Sequence, residues 1–201
     1  MSRRSIVGLA AALLLTASLA FALSAQQPSG NEPSPAAPQA KPGPVAPPAN
    51  DADKIKSAMS AAPAAIAANA TIMDMATMKP IRKGTNGWTC LPDMPHSPGA
   101  DPMCLDQNGM LWVEALTTRK DPPKGKMGFG YMLVGGSDAS NTDPHATMPA
   151  PGGKWIDTGP HVMVLNIGDA FAGYPTTAAN TKLPYVMFPG TPYAHLMIPV
   201  K

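Results

Sequence analysis

Apolar residues recur at helical spacing at the start of the folded part of the chain. In residues 51–62, Ile55, Met59 and Ala62 fall on one side of a helix, and acidic residues near its start favour a helix N-terminus. Pro63 ends or kinks this helix, and the segment PAAIAANA that it opens predicts a second short one.

Strand-like patterns dominate the rest of the chain around one more helix. TIMDM and PIRKG predict short strands. Asp106 is placed to cap a helix over about residues 107–120, with Met110 and Val113 on one stripe. After it, GFGYMLVGG, KWIDTGPHVMVLNI, PYVMF and AHLMIPV predict strands. Since regular strand–helix alternation is missing, we expect a single α+β domain over residues 51–201, with a mostly antiparallel or mixed sheet, an N-terminal helix and one mid-chain helix.

The last two strands predict a hairpin around PGTPY, because Pro-Gly suits the centre of a type II turn. Symmetric pairing across this loop places Met187 opposite His195 and Tyr185 opposite Met197. Strand alternation puts all four side chains on one face. The apolar residues of the last strand that alternate with His195 and Met197 lie on the opposite face, and we expect that face to pack against the main hydrophobic core.

The pattern His-x-Met occurs on two of the predicted strands, in TGPHVMVLN and in PYAHLMIPV. If these strands are neighbours with matching faces, five side chains converge: His161, Met163, Met187, His195 and Met197. Imidazoles with thioethers suit copper, because soft sulfur favours Cu(I), and MDMATM adds a second thioether-rich stretch. The alternative is ordinary packing, since methionine fills irregular cores and a histidine on the wetter face of a sheet needs no metal.

The N-terminus has the layout of an export signal. Arg3 and Arg4 precede an apolar stretch and then small residues, which predicts a signal peptide over residues 1–25 and no stable membrane span after cleavage. SRRSIV partly resembles a twin-arginine signal, but the general secretory route is the more common reading of such a pair. Eight of the 25 residues in 26–50 are proline, which predicts a disordered Pro/Ala-rich linker. We expect a periplasmic or secreted bacterial protein.

Cys90 and Cys104 are the only two cysteines of the chain. In an oxidising compartment an isolated pair forms a disulfide, here with an expected Cα separation of roughly 4.4–6.8 Å. The intervening prolines argue against a regular ladder in this segment, so a covalent link there has a structural purpose. The alternative is a metal site that uses both thiolates with His96, Met94 or Met103.

The balance of charged residues argues against nucleic acid as a partner. The formal charge of +2 corresponds to Arg3 and Arg4, and residues 51–201 carry 12 basic and 12 acidic side chains. Nucleic-acid binders show a basic excess, so we expect no nucleic-acid partner.

The polar loop GGSDASNTDPH offers candidate catalytic groups, namely Ser137, Asp138, Asn141 and Asp143. It lacks the Gly-x-Ser-x-Gly nucleophile elbow and the spacing of a calcium loop. Asx-type turns and capping are an alternative role for these residues.

Four segments together carry a resemblance: KGTNGWTC, DPMCLD, GGSDASNTDP and PGTPYAHLMIPV. They resemble an uncharacterised family of small exported bacterial proteins, over most of residues 55–201. The resemblance implies a single exported domain and brings no activity, cofactor or site residue.

Three functions remain in order of preference. We expect a non-catalytic module that binds a small ligand or an envelope protein. The alternative is a copper-binding or copper-handling protein that uses the His/Met strand face, with copper as the one candidate cofactor. A hydrolase-like enzyme is third.

Overall fold

The structure is a computed structural model, and it describes residues 48–94 and 97–200. The predicted signal peptide and residues 26–47 of the predicted linker lie outside the described residues, as does His96. No helix of the described part is long and apolar enough to cross a membrane.

The described residues form three α-helices, one 3₁₀ helix and ten strands. In chain order they are α1 Asp51–Ser60, α2 Ala64–Ala67, β1 Thr71–Asp74, β2 Lys79–Arg82, β3 Thr89–Leu91, β4 Met103–Leu105, α3 Gln107–Thr118, β5 Gly128–Met132, β6 Ser137–Asp138, β7 Ile156–Asp157, β8 His161–Leu165, the 3₁₀ helix Gly168–Phe171, β9 Tyr185–Met187 and β10 His195–Pro199. Eight strands form one sheet in the order β2-β1-β3-β4-β5-β8-β10-β9, and β6 pairs with β7. Only the β1–β3 pair of the large sheet is parallel, so the α+β class with a mixed sheet is confirmed.

Helix α3 begins and packs as its sequence requires. The Asp106 carboxylate accepts a hydrogen bond from the Gly109 backbone N–H at 2.7 Å, which confirms the predicted cap. The helix ends at Thr118, two residues before the predicted end. Gly109 weakens the helical pattern in the sequence, but here it allows close packing, since a Cβ at this position would lie 3.0 Å from the Phe129 carbonyl oxygen of β5. Gly128 of β5 completes the contact, because a Cβ there would lie 2.5 Å from the Gly109 nitrogen.

The large sheet separates two clusters of buried side chains. Helices α1 and α2 pack with Cys90 and Cys104 on one face, mainly over β1 to β4. Helix α3 packs on the other face with Leu91 and Leu105, each the next residue after one of those cysteines. Strand alternation accounts for this division.

Cys90 and Cys104 form the predicted disulfide, which links β3 to β4. Their Cα atoms are 3.9 Å apart, closer than expected, because the two residues lie directly opposite each other on neighbouring antiparallel strands. The expectation that this segment lacks a ladder was wrong at its two ends, where β3 and β4 pair. The thiolate metal site is also wrong, since neither cysteine is free.

The predicted register of the last hairpin is confirmed. Met187 lies opposite His195 and Tyr185 lies opposite Met197, while β8 flanks β10 on its other side.

The expected sidedness of this hairpin was wrong. The His/Met face is the more buried one, whereas on the opposite face Leu196 is buried, Ile198 is half-buried and Val200 is 45% exposed. Helix α3 lies over the His/Met face, and α1 and α2 cover the other face mainly over β1 to β4. The better core therefore follows the position of α3, which strand alternation alone does not reveal.

Candidate functional site

A cavity of about 250 Å³ lies between α3 and the buried face of the large sheet. All five residues of the predicted His/Met set line it: His161, Met163, Met187, His195 and Met197. Four further methionines do so too: Met75, Met94, Met103 and Met132. The structure thus gathers seven thioethers and two imidazoles around one space.

The register fixes how these donors are arranged. Residues that lie directly opposite each other on neighbouring strands are at the same level along the sheet. Met163 lies opposite Met197, and this pair is the middle one of three such pairs on the buried face of β8 and β10. His161 lies two residues from this pair along β8, opposite Pro199. His195 lies two residues from the pair along β10, in the opposite direction along the sheet. Four residues therefore separate the levels of the two histidines, roughly 13 Å along the strand. The central thioether pair is the shared neighbour of both imidazoles.

His161 presents a free lone pair to this cavity. Its Nδ1 lies 2.7 Å from the carbonyl oxygen of Gly159. Because a carbonyl only accepts, Nδ1 carries the proton and Nε2 the lone pair. Nε2 is buried without a hydrogen-bond partner among the described residues. Burial lowers the pKa of His161, outweighing the opposing effect of the Gly159 hydrogen bond, so the ring is neutral near pH 7.

A backbone carbonyl also holds His195 in the tautomer that carries its proton on Nδ1. Its Nδ1 donates to the carbonyl oxygen of Tyr193 at 3.0 Å. Trp112 and Phe188 meet its ring edge-on at centroid distances of 5.1 and 5.4 Å. Burial lowers the pKa of His195 to about 4; the Tyr193 hydrogen bond opposes this, and the positive charge that His161 gains when it is protonated adds to it. A backbone carbonyl on Nδ1 is also the arrangement that orients metal-binding histidines.

The methionines divide into an inner and an outer group. The inner four are buried: Met132, Met163, Met187 and Met197. The outer three are partly exposed: Met75, Met94 and Met103. The methionines that line the cavity therefore include both partly exposed side chains and side chains as buried as the two imidazoles.

Met132 and Gly130 of β5 were not among the predicted site residues, although strand alternation in GFGYM indicates both. Both lie on the buried face, where Met132 pairs with His161 and Gly130 pairs with Met163. A Cβ on Gly130 would lie 2.6 Å from the terminal methyl carbon of Met163. The glycine therefore leaves room for the Met163 side chain to lie across β5.

Two residues of the predicted polar loop reach the cavity, Ser137 and Asp138. The Ser137 hydroxyl accepts a hydrogen bond from the Gly99 N–H at 2.9 Å, and the backbone N–H of Ser137 donates to the Asp101 carboxylate at 2.8 Å. Burial, aided by the charge of Asp101, raises the pKa of Asp138 to about 7. Since the Nδ1 proton of His161 is given to a backbone carbonyl, this geometry does not form a Ser-His-Asp relay.

The other two loop candidates make structural contacts. The side chain of Asn141 donates to the Thr176 carbonyl at 2.9 Å, and its backbone carbonyl accepts from the Phe188 N–H beside β9. Asp143 accepts from the His145 N–H at 2.9 Å, an Asx-type turn.

Within the described ranges, no group of three or more His, Cys, Asp or Glu side chains is placed to hold a metal ion. The soft donors of the cavity are thioethers and imidazoles. Comparison with protein-family models, with curated proteins and with solved structures finds no match. The resemblance to a family of exported proteins stays a prediction.

Proposed function

We propose that this domain is a non-catalytic module that binds Cu(I), with the Nε2 of His161 and the thioethers of Met163 and Met197 as ligands. The observation that carries the proposal is the buried, unpartnered Nε2 of His161 beside the central thioether pair. Buried polar atoms in native proteins are nearly always hydrogen-bonded, and a lone pair left open in a cavity of sulfur atoms suits a soft cation.

The uncharged character of these ligands favours a monovalent ion. Imidazole and thioether are both neutral, so these three ligands leave a bound ion its whole charge; the carboxyl groups of Asp101 and Asp138 line the same cavity but are not among the ligands. The cost of burying an ion rises steeply with its charge, so Cu(I) is favoured over a divalent ion of similar size. Zn²⁺ is disfavoured further, because its usual ligands are thiolate, imidazole and carboxylate rather than thioether.

The spacing of the two histidines assigns the ligand role to one of them. The backbone positions of the two histidines lie roughly 13 Å apart along the strand, so an ion held by the Nε2 of His161 lies beside that histidine and away from the level of His195. His161 has the open Nε2, whereas His195 packs against Trp112 and Phe188. We assign His195 to the support of Met197 and of the aromatic wall.

The test is a competition titration of the full chain against the Cu(I) chelator bicinchoninate, under anaerobic conditions. Wild type should hold Cu(I) with sub-micromolar affinity, and His161→Ala should remove that binding. His145→Ala is the matched control, because His145 lies outside the cavity lining and should leave affinity unchanged. Equal affinity of wild type and His161→Ala would rule out the site.

A small organic ligand is the second candidate, favoured by a separate observation. The indole N–H of Trp112, whose side chain lines the cavity, and the hydroxyl of Tyr185 are buried without partners among the described residues, and a cation satisfies neither donor. A neutral ligand with a hydrogen-bond acceptor would do so. Native mass spectrometry of the purified full chain separates the candidates: a bound organic mass supports the second one, and uptake of a single copper supports the first.

A further inference from the structure

We infer that Cu(I) enters the cavity along a row of soft donors that crosses three adjacent strands, from Met103 on β4 through Met132 on β5 to His161 on β8. This inference rests on the proposed function and adds a route to it.

The register aligns the three residues. Cys104 pairs with Tyr131 and Leu105 pairs with Gly130, so Met103 falls at the level of Met132. Met132 in turn pairs with His161. Neighbouring strands lie about 4.8 Å apart, so each donor stands one strand from the next. All of them line the same cavity.

Exposure falls steadily along this row. Met103 is partly exposed, Met132 is 8% exposed and His161 is 1% exposed. Met75 and Met94 are also partly exposed and line the same cavity, so they widen the group of thioethers at its outer end. The opposite end, beside His195, is closed by the buried aromatic side chains of Trp112 and Phe188.

This arrangement lets the ion move inward without being left bare. A cation stripped of its ligands in an apolar interior is costly. Along the row, each thioether can be replaced by the next while the first is still close. The outer thioethers therefore govern how fast the site fills, whereas the inner ligands govern how tightly it holds.

The experiment separates rate from affinity. Full-length wild type and Met103→Leu are mixed in stopped flow with Cu(I) bicinchoninate, and loss of the chelate colour is followed. Leucine keeps the volume and apolar character of methionine but removes the sulfur. Met103→Leu should load about tenfold more slowly, which corresponds to about 1.4 kcal/mol in the barrier. Its equilibrium affinity should stay within about twofold of wild type, less than 0.5 kcal/mol.

Two further variants sharpen the result. Met148→Leu is the matched control, since Met148 is 66% exposed and lies outside the cavity, and it should load at the wild-type rate. The double variant Met75→Leu/Met94→Leu should also slow loading at unchanged affinity. An unchanged loading rate in Met103→Leu would overturn the route, and so would a loss of affinity in that variant, because Met103 would then be a ligand. Failure of wild type to bind Cu(I) at all is a different result, which overturns the proposed function.

Discussion

Replacing Gly130 with alanine should disturb the proposed site while leaving the fold in place. A Cβ at this position would lie 2.6 Å from the terminal methyl carbon of Met163 and 3.0 Å from Cδ2 of Leu105. Both atoms are far ends of flexible side chains. Met163 should therefore swing away from β5, and its sulfur should leave the position that the site requires.

The expected size of the effect follows from what must move. Overpacking costs roughly 1–3 kcal/mol, and replacing glycine by alanine inside a strand returns roughly 0.5–1 kcal/mol. Because Met163 can adjust, Gly130→Ala should stay within about 1 kcal/mol of wild-type stability. Cu(I) affinity should fall by at least about tenfold, or about 1.4 kcal/mol, through the displaced thioether.

Gly128→Ala provides the comparison on the same strand. Its Cβ would lie 2.5 Å from the backbone nitrogen of Gly109 in α3, and the helix backbone cannot turn aside. We expect this variant to lose about 2–3 kcal/mol of unfolding free energy. The helix clash, not the loss of glycine itself, sets the difference between the two variants.

Urea unfolding followed by tryptophan fluorescence measures the stabilities, and the bicinchoninate titration measures the affinities. We expect a folded Gly130→Ala protein with weak Cu(I) binding and a clearly destabilised Gly128→Ala protein. Wild-type affinity in Gly130→Ala, or equal destabilisation of the two variants, would refute this expectation.

Three further predictions concern stability. Replacing Cys90 and Cys104 by serine should lower the unfolding free energy by roughly 3 kcal/mol in urea, and thiol titration of unreduced wild type should find no free thiol; two titratable thiols would contradict the disulfide. Between about pH 4 and 6.5, unfolding adds a proton to His195 and removes one from Asp138, so the two effects oppose each other. Asp138→Asn should therefore make stability fall more steeply on acidification than in wild type, by about 1.4 kcal/mol per pH unit, and a slope equal to that of wild type would contradict this. Deleting residues 1–48 should leave the unfolding midpoint unchanged, because their proline-rich part has little apolar surface to bury, and a clear loss would show that the segment packs on the domain.

Local patterns predicted the part of the site that lies in the last hairpin. Symmetric pairing across the loop of residues 188–194 gives the register between β9 and β10, and the period of two fixes which side chains share a face, so Met187 and His195 were placed correctly opposite each other. Asp106 likewise predicted the start of α3 through its cap. These features depend on neighbours in the chain.

The remaining features depend on contacts between distant segments. Which face of β10 is buried depends on where α3 packs, and the sequence places no marker for that. The position of Met103 beside Met132 depends on the pairing of β4 with β5, which are separated in the chain by α3. Strand β4 itself was not predicted, because the prolines before it argue against regular structure. The open Nε2 of His161 depends on the turn that brings the Gly159 carbonyl to Nδ1.

X-ray absorption at the copper edge tests the central claim most directly, because it counts the atoms bound to the ion. The full chain loaded with one equivalent of Cu(I) should show two sulfur neighbours and one imidazole nitrogen. In His161→Ala, any copper retained should have lost the imidazole signal. A wild-type spectrum without sulfur neighbours, or an imidazole signal that persists in His161→Ala, would contradict the account.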